Sequence, residues 1–199
     1  MNIISKLIED ALWKLSQNES ELACINLCIL IDAAAKRRYP AEESNKARYT
    51  KFLNDEMSTI WFMATEGNFV PHDDIYVTYD SKSTKLSTAF YELFRCNGLH
   101  EGYFPIDFRS RDHQDIPAIT ENLLPAMYAG ILTTQEFKGI NIKSPVSVEL
   151  NGRKILFSTI VGDRGLLMQQ AEWQTRFDEC QATMSEFIKN RKILFLNPL

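Results

Sequence analysis

The sequence predicts a mainly α-helical fold, a helical bundle with a small β-hairpin in its C-terminal half. Apolar residues recur at three- and four-residue spacing through much of the first half of the chain and again near its end, which is the pattern of amphipathic helices. Between those regions, Asn151-Gly152 separates two short stretches in which apolar and polar residues alternate. Asn-Gly in that setting is the strongest short sequence signal for a hairpin.

Composition indicates a globular protein and excludes several other classes. The 199 residues are 45% apolar and 24% charged, which argues against a disordered chain, and the longest apolar stretch, 22–35, is too short to span a bilayer. The net charge of −4 argues against a broad basic surface for duplex nucleic acid. No signal-peptide pattern opens the sequence, and none of the four cysteines forms a CxxC pair. We therefore expect a cytoplasmic protein with reduced thiols, no membrane partner and no cofactor.

Three helices are predicted in the first third of the chain. The first covers Ile3–Ser16, with its apolar residues on one face. The second covers Glu21–Tyr39 with Ser20 as its N-cap, and because it is apolar nearly all round we expect it at the centre of the bundle. Its end, 36–38, is basic and is expected as a solvated helix terminus. The third covers Asn45–Ala64.

Asp32 places a charge on the most apolar of these helices, where it needs a partner. Lys36 lies four residues further on and is one candidate. The other possibility is that Asp32 reaches Arg95 or His100 and orients a functional site. Both alternatives remain open from the sequence.

Residues 68–83 are predicted to form a connection without regular structure. A metal site, and with it a metal hydrolase, is one interpretation of the acidic and imidazole side chains in this region and beyond it, since such groups are metal ligands. Loop capping is favoured, because these residues lack the helical pairing of typical ligand sets, and no metal is expected. The residues of the metal interpretation are His72, Asp73, His113 and Asp115.

A fourth helix, predicted over 82–96, carries the most informative motif. Asn97-Gly98 is expected to end this helix, because both residues tolerate the left-handed turn that terminates helices. The turn would let Arg95 and His100 converge on one anion, which an unbroken helix would prevent. A histidine that transfers protons near neutral pH and a guanidinium that neutralises phosphate oxygens suit phosphodiester cleavage.

The segment 91–103 resembles the HEPN superfamily, in which an arginine at the end of an apolar helix is followed by a polar residue, three variable residues and a histidine. The resemblance covers roughly the first half of the chain and rests on Arg95 and His100. It implies a metal-independent endoribonuclease, commonly dimeric and often part of a toxin–antitoxin or antiviral defence system. In this sequence Cys96 stands where the family usually has Asn, Asp or His, and Asn97 comes one position later.

The resemblance also implies roles for these residues. His100 would act as general base or acid, and Arg95 would stabilise the phosphorus transition state. RNA or a nucleotide would be the ligand, a second copy of the chain the expected partner, and an antitoxin a further one. Four residues are expected to support the pair: Asp32, Asn97, Glu101 and Tyr103.

Two alternatives stand beside the nuclease. In the first, the chain is a non-catalytic HEPN-like module that binds nucleotide or RNA or forms a dimeric scaffold, which Cys96 favours. In the second, the motif has no function: Glu92 pairs with Arg95 on the helix surface, and His100 is a capping or core histidine.

The C-terminal half is predicted to contain a short helix over Thr120–Leu132, the hairpin within Val146–Thr159, and a last helix from about Gly165 to Arg191. The apolar tail Ile193–Leu199 is expected to be tucked in or to lie at a dimer interface. We expect one domain with a helical core and an insertion that carries the hairpin. The domain is 1–199, its core 1–104 with 165–192, and the insertion 105–160.

Overall fold

The computed structural model of the chain describes residues 2–42, 44–68, 70–71, 76–79, 82–98, 117–180 and 182. Within these ranges the chain is mainly helical and contains two separate two-stranded antiparallel sheets. The predicted mainly α fold with a hairpin in the C-terminal half is confirmed. No helix in the described ranges combines the length and the apolar character needed to cross a membrane.

Three long helices form the first part of the bundle: α1 (Ile3–Ser16), α2 (Ser20–Arg38) and α3 (Asn45–Ala64). The predicted bounds of α1 and α3 are confirmed, and α2 is shifted by one residue towards the N-terminus. The prediction that Ser20 caps α2 is wrong. Glu19 holds the N-cap position without a side-chain capping hydrogen bond, and Ser20 is already helical.

The central helix is α2, as its apolar sequence predicts. It packs against α1 and α3 and against a later helix, α5 (Pro117–Leu132). Cys24 and Cys28 are buried on α2 and have free thiols. Burial raises the pKa of the Cys24 thiol well above its ordinary value, because the thiolate would lose its hydration. These two cysteines therefore act as small apolar core residues.

The helix α5 begins before the predicted Thr120 and contains Pro125, whose ring removes one helical N–H donor. It packs closely on α3 at Gly130, where a Cβ atom would lie 2.8 Å from Cγ1 of Ile60. A larger residue at this position would push the two helices apart. The predicted insertion, 105–160, thus contributes the helix α5 to the core.

A first hairpin joins β1 (Tyr76–Tyr79) to β2 (Lys82–Lys85), with Tyr76 paired to Lys85. The prediction of an irregular connection over 68–83 is therefore wrong at 76–79 and at 82–83, where the chain is a strand. Aromatic and β-branched residues make up the whole of β1, and their preference for extended structure was the overlooked signal.

The second hairpin is the one that the Asn-Gly signal predicts. β3 (Ser147–Leu150) pairs with β4 (Arg153–Leu156) in antiparallel register. Asn151 and Gly152 have φ angles of 53° and 67°, as a two-residue type I′ turn requires. The hairpin is followed by the short helix α6 (Phe157–Ile160).

The C-terminal part differs from the predicted continuous helix. The helix α7 (Arg164–Gln170) ends in a turn, and the chain becomes helical again over 174–180. Glu172 has a φ angle of 56° in this turn, which an α-helix cannot accommodate. Trp173 follows in a fully buried position and packs edge-on against Phe62 of α3, with ring centroids 5.3 Å apart. The break lets this side chain reach the core. Residues 183–191 of the predicted helix lie outside the described ranges.

A charge network joins α2 and α3 to the C-terminal half. Glu56 of α3, only 2% exposed, accepts hydrogen bonds from Arg38 at 2.5 Å and from Arg164. Glu136, in the 3₁₀ turn Gln135–Phe137, accepts two further bonds from Arg38 at 2.9 and 2.7 Å. The predicted solvated end of α2 is therefore wrong at Arg38, which is held between two carboxylates.

This network makes stability depend on pH through Glu136. Burial alone would raise the pKa of its carboxyl, but the hydrogen bonds and charge of Arg38 outweigh burial and lower the pKa below its ordinary value. A carboxyl with a lowered folded-state pKa stabilises the fold above its unfolded-state pKa, and the contribution is lost as the pH falls through the lower value. We expect the unfolding free energy of the wild type to fall more steeply below about pH 4 than that of Glu136→Gln. Urea unfolding at several pH values measures this, and parallel pH curves would contradict it.

Candidate functional site

The segment that carries Arg95 consists of two different helices in succession. The short helix α4 (Leu86–Phe90) follows β2 directly and continues as a π-helix over Tyr91–Gly98. The predicted α-helix over 82–96 is therefore wrong at its start, where the chain is a strand, and in its second half. A π-helix turn is rare and occurs frequently at functional sites. Apolar residues anchor it in the core, as Phe94 is buried and stacks on Phe90 with ring centroids 4.1 Å apart.

Asp32 of α2 holds the guanidinium of Arg95. Its Oδ2 accepts a hydrogen bond from Nε at 3.0 Å, with 30% of the Asp32 side chain and 19% of the Arg95 side chain exposed. Burial alone would lower the pKa of Arg95, but the hydrogen bond and charge of Asp32 raise it, so the side chain is cationic. Three partners were considered for Asp32. Among the described residues Arg95 forms an ion pair with it and Lys36 does not, and His100 lies outside the described ranges.

Two tyrosines flank this ion pair. The guanidinium carbon of Arg95 lies 5.4 Å from the ring centroid of Tyr91, and Tyr91 in turn packs edge-on against Tyr49 of α3 at 5.3 Å. Burial raises the pKa of both phenols. Neither tyrosine was among the predicted site residues. Tyr91 lies four residues before Arg95, and that spacing was an available signal.

Glu92 does not pair with Arg95, as one alternative predicted. Its Oε1 lies 2.7 Å from Nζ of Lys46 on α3, in an exposed ion pair. Cys96, at the position after Arg95, is half-buried and has a free thiol. Arg95 therefore forms its ion pair with Asp32 of α2, across the bundle, and not with Glu92 on its own helix.

Several predicted site residues lie outside the described ranges. The backbone of Asn97 belongs to the π-helix, but its side chain is not among the described ones. His100, Glu101 and Tyr103 all lie in 99–116. The convergence of His100 on Arg95 thus stays a prediction, whereas Asp32 and Arg95 are together.

The residues of the metal interpretation, from 72–75 and 99–116, also lie outside the described ranges. Among the residues that the structure does describe, no group of three or more His, Cys, Asp or Glu side chains is close enough to hold a metal ion.

Comparison with known proteins gives one match. A family model described as Rv1289 matches residues 3–143, a range that includes Asp32 and Arg95 and ends after the 3₁₀ turn. No curated protein and no solved structure matches the chain. The candidate site lies within the matched range, whereas the second hairpin and α7 lie beyond it.

Proposed function

The chain belongs to the Rv1289 family, and we propose that the site around Arg95 makes it a metal-independent endoribonuclease of the HEPN type. The proposal rests on the sequence motif in 91–103 and on one observation, the bond from Nε of Arg95 to Asp32. A carboxylate that engages Nε orients the guanidinium while its two terminal nitrogens keep N–H donors for phosphate oxygens. Asp32 is thus a positioning residue in this proposal.

In the proposed reaction, the 2′-hydroxyl oxygen of RNA attacks phosphorus and the bond to the 5′-oxygen breaks. The products are a 2′,3′-cyclic phosphate and a 5′-hydroxyl. His100 accepts the proton of the 2′-hydroxyl or donates one to the leaving oxygen. Arg95 stabilises the negative charge that builds up on the non-bridging oxygens. DNA would not be cleaved, since it lacks the attacking hydroxyl.

The proposal also includes a second subunit, residues that orient His100, and a partner protein. One histidine supplies one proton-transfer group, so a second copy of the chain in a homodimer would supply the other. Asn97, Glu101 and Tyr103 are the candidates for orienting His100. A nuclease of this kind would serve as a toxin or antiviral effector, with an antitoxin as its further partner.

Cleavage of a mixed RNA pool in EDTA tests the proposal. We expect the wild type to cleave, and Arg95→Ala and His100→Ala each to slow cleavage by roughly 10²–10⁴-fold. Asp32→Asn should cause a smaller loss, because Asn still accepts the Nε hydrogen bond without its charge. Glu92→Gln is the matched control, since it removes an exposed ion pair on the same π-helix and should leave cleavage unchanged.

Two outcomes would contradict this reaction. Cleavage that survives both alanine substitutions would mean that another site or a contaminant acts on the RNA. A folded wild type that never cleaves would exclude the nuclease and favour the second candidate function.

The second candidate is a non-catalytic HEPN-like protein that binds RNA or nucleotide or acts as a dimeric scaffold. A specific observation favours it: the charge of Arg95 is already balanced by Asp32, and only 19% of its side chain is exposed. Cys96 in the position of the usual polar residue points the same way. This candidate predicts RNA or nucleotide binding without cleavage, which fluorescence anisotropy with a labelled RNA in EDTA would detect.

A further inference from the structure

A groove of about 750 Å³ lies between β3 and the turn that joins α1 to α2, and a cavity of this size accommodates a small molecule. Its lining mixes polar side chains with apolar ones such as those of Pro125 and Pro145. Asp32, Tyr91 and Arg95 are not among the residues that line it. The groove is therefore separate from the site around Arg95.

An exposed indole forms part of the groove. Trp13 of α1 lines it and is 54% exposed, although tryptophan side chains are usually well buried. Trp173, by contrast, is 1% exposed and belongs to the core. An aromatic ring that is open to a concave surface offers an apolar face on which a flat ligand group can stack.

Four polar side chains in the lining have no hydrogen-bond or ion-pair partner within the described part of the chain: Asn18, Ser20, Ser147 and Glu149. Ser16 also lines the groove, but its hydroxyl already donates to the carbonyl of Trp13 at 2.7 Å. Serine hydroxyls and the asparagine amide both donate and accept hydrogen bonds, whereas a carboxylate accepts them. This mixed set matches a ligand with several hydroxyl groups, since each hydroxyl also donates and accepts.

The charges around the groove favour a neutral ligand. Glu149 is the charged residue in the lining, and it would repel an anion. Lys154 of β4 lies directly opposite Glu149, so the two side chains share one face of the hairpin and their charges offset each other. Lys14 and Glu19, beside the turn between α1 and α2, pair with each other at 3.1 Å. The groove therefore has no surplus charge to attract an ionic ligand.

We propose that this groove binds a neutral carbohydrate, with one sugar ring stacked on Trp13 and its hydroxyl groups hydrogen-bonded to the four polar side chains. The C–H groups of the ring supply the apolar face, and the hydroxyl groups supply both donors and acceptors. A phosphorylated sugar would place negative charge beside Glu149. The C-terminal tail, 193–199, lies outside the described residues and forms no part of the proposed site.

An NMR titration of the full-length chain tests this proposal, with glucose, N-acetylglucosamine, maltose and cellobiose as probes. The chain has three tryptophans, so Trp13→Phe identifies the indole N–H signal of Trp13 by its loss. We expect at least one sugar to shift this signal and the backbone amide signals of Ser147 and Glu149 in a saturable manner.

Two variants measure the contributions of stacking and of the carboxylate. Trp13→Ala should raise the dissociation constant of the bound sugar about tenfold, whereas Trp13→Phe keeps an aromatic face and should raise it less. Glu149→Ala should raise the dissociation constant about tenfold, because the sugar loses a hydrogen bond to a charged acceptor. The backbone amide signals report binding in the tryptophan variants.

Ile3→Ala is the matched control for Trp13→Ala. Ile3 is 81% exposed and lies at the opposite end of α1, so this variant also removes an exposed apolar side chain from the same helix but should leave the dissociation constant unchanged. Urea unfolding of each variant confirms that it is folded, since both side chains lie outside the core.

Three outcomes would overturn the proposal. The first is that no sugar in the panel shifts the Trp13 and β3 signals. The second is a shift of the β3 amides that Trp13→Ala and Glu149→Ala leave unaltered, which would place the sugar elsewhere. The third is saturable binding of adenosine without binding of any sugar, which would make the groove a nucleobase site.

Discussion

Glu56→Gln is expected to lower the free energy of unfolding by about 3 kcal/mol, because it removes a buried carboxylate that two half-buried arginines share. Glu56 is almost fully buried and accepts hydrogen bonds from Arg38 on one oxygen and from Arg164 on the other. Glutamine has the same shape but one acceptor oxygen, so its NH₂ group would face a guanidinium. Arg38 keeps Glu136, whereas Arg164 loses its carboxylate partner.

Urea unfolding of Glu56→Gln beside Glu92→Gln measures this effect. Glu92 forms an exposed ion pair with Lys46, so the same chemical change there should cost less than about 1 kcal/mol. Each variant removes one negative charge, from α3 in one case and from the π-helix in the other. The difference between their unfolding free energies therefore measures the effect of burying the carboxylate. Equal costs for the two substitutions would show that the network around Glu56 contributes no more than a surface pair.

Gly162→Ala is expected to cost more than about 4 kcal/mol, which is beyond the usual range for one substitution. A Cβ atom at Gly162 would lie 2.4 Å from Cα of Lys138 and 2.7 Å from the carbonyl carbon of Phe137. These are backbone atoms, so no rotamer change relieves the overlap. The amide of Gly162 also donates to the carbonyl of Leu132 at 2.8 Å, which holds the two segments together.

Gly139→Ala is the matched control, because it separates the cost of steric overlap from the cost of a left-handed backbone conformation. Gly139 has a φ angle of 80°, close to the 72° of Gly162, but a Cβ atom there would meet no atom within 4 Å. Its substitution should cost only the left-handed conformation, about 1–2 kcal/mol. Thermal or urea unfolding of the two variants measures the difference. If both cost the same, the segment around Lys138 moves aside without a penalty.

Much of the helical framework could be predicted because its signals are local. The bounds of α1 and α3 follow from apolar periodicity, and both begin at capping side chains, of Asn2 and Ser44, that accept backbone N–H bonds. The second hairpin follows from the two residues that tolerate positive φ in its turn. In each case a few consecutive residues specify the conformation.

The candidate site was predictable only in part. Asp32 had to have a partner because a charge on an apolar helix is costly, and Arg95 was one of the partners considered. The sequence could not choose among Lys36, Arg95 and His100, since the choice depends on how α2 packs against the segment that carries Arg95. The contact of Tyr91 with the guanidinium depends on the same packing.

The sequence by itself determined the class of fold, the three long helices and the position of the second hairpin, because periodicity and turn chemistry act over a few residues. Tertiary structure alone decided that Arg38 is held between Glu56 and Glu136, and that the last helix breaks before Trp173. These features depend on residues far apart in the chain. Helical propensity contributes only a few tenths of a kcal/mol per residue, whereas the burial of one tryptophan contributes several kcal/mol. The burial of Trp173 therefore outweighs the preference of the nearby residues for a continuous helix.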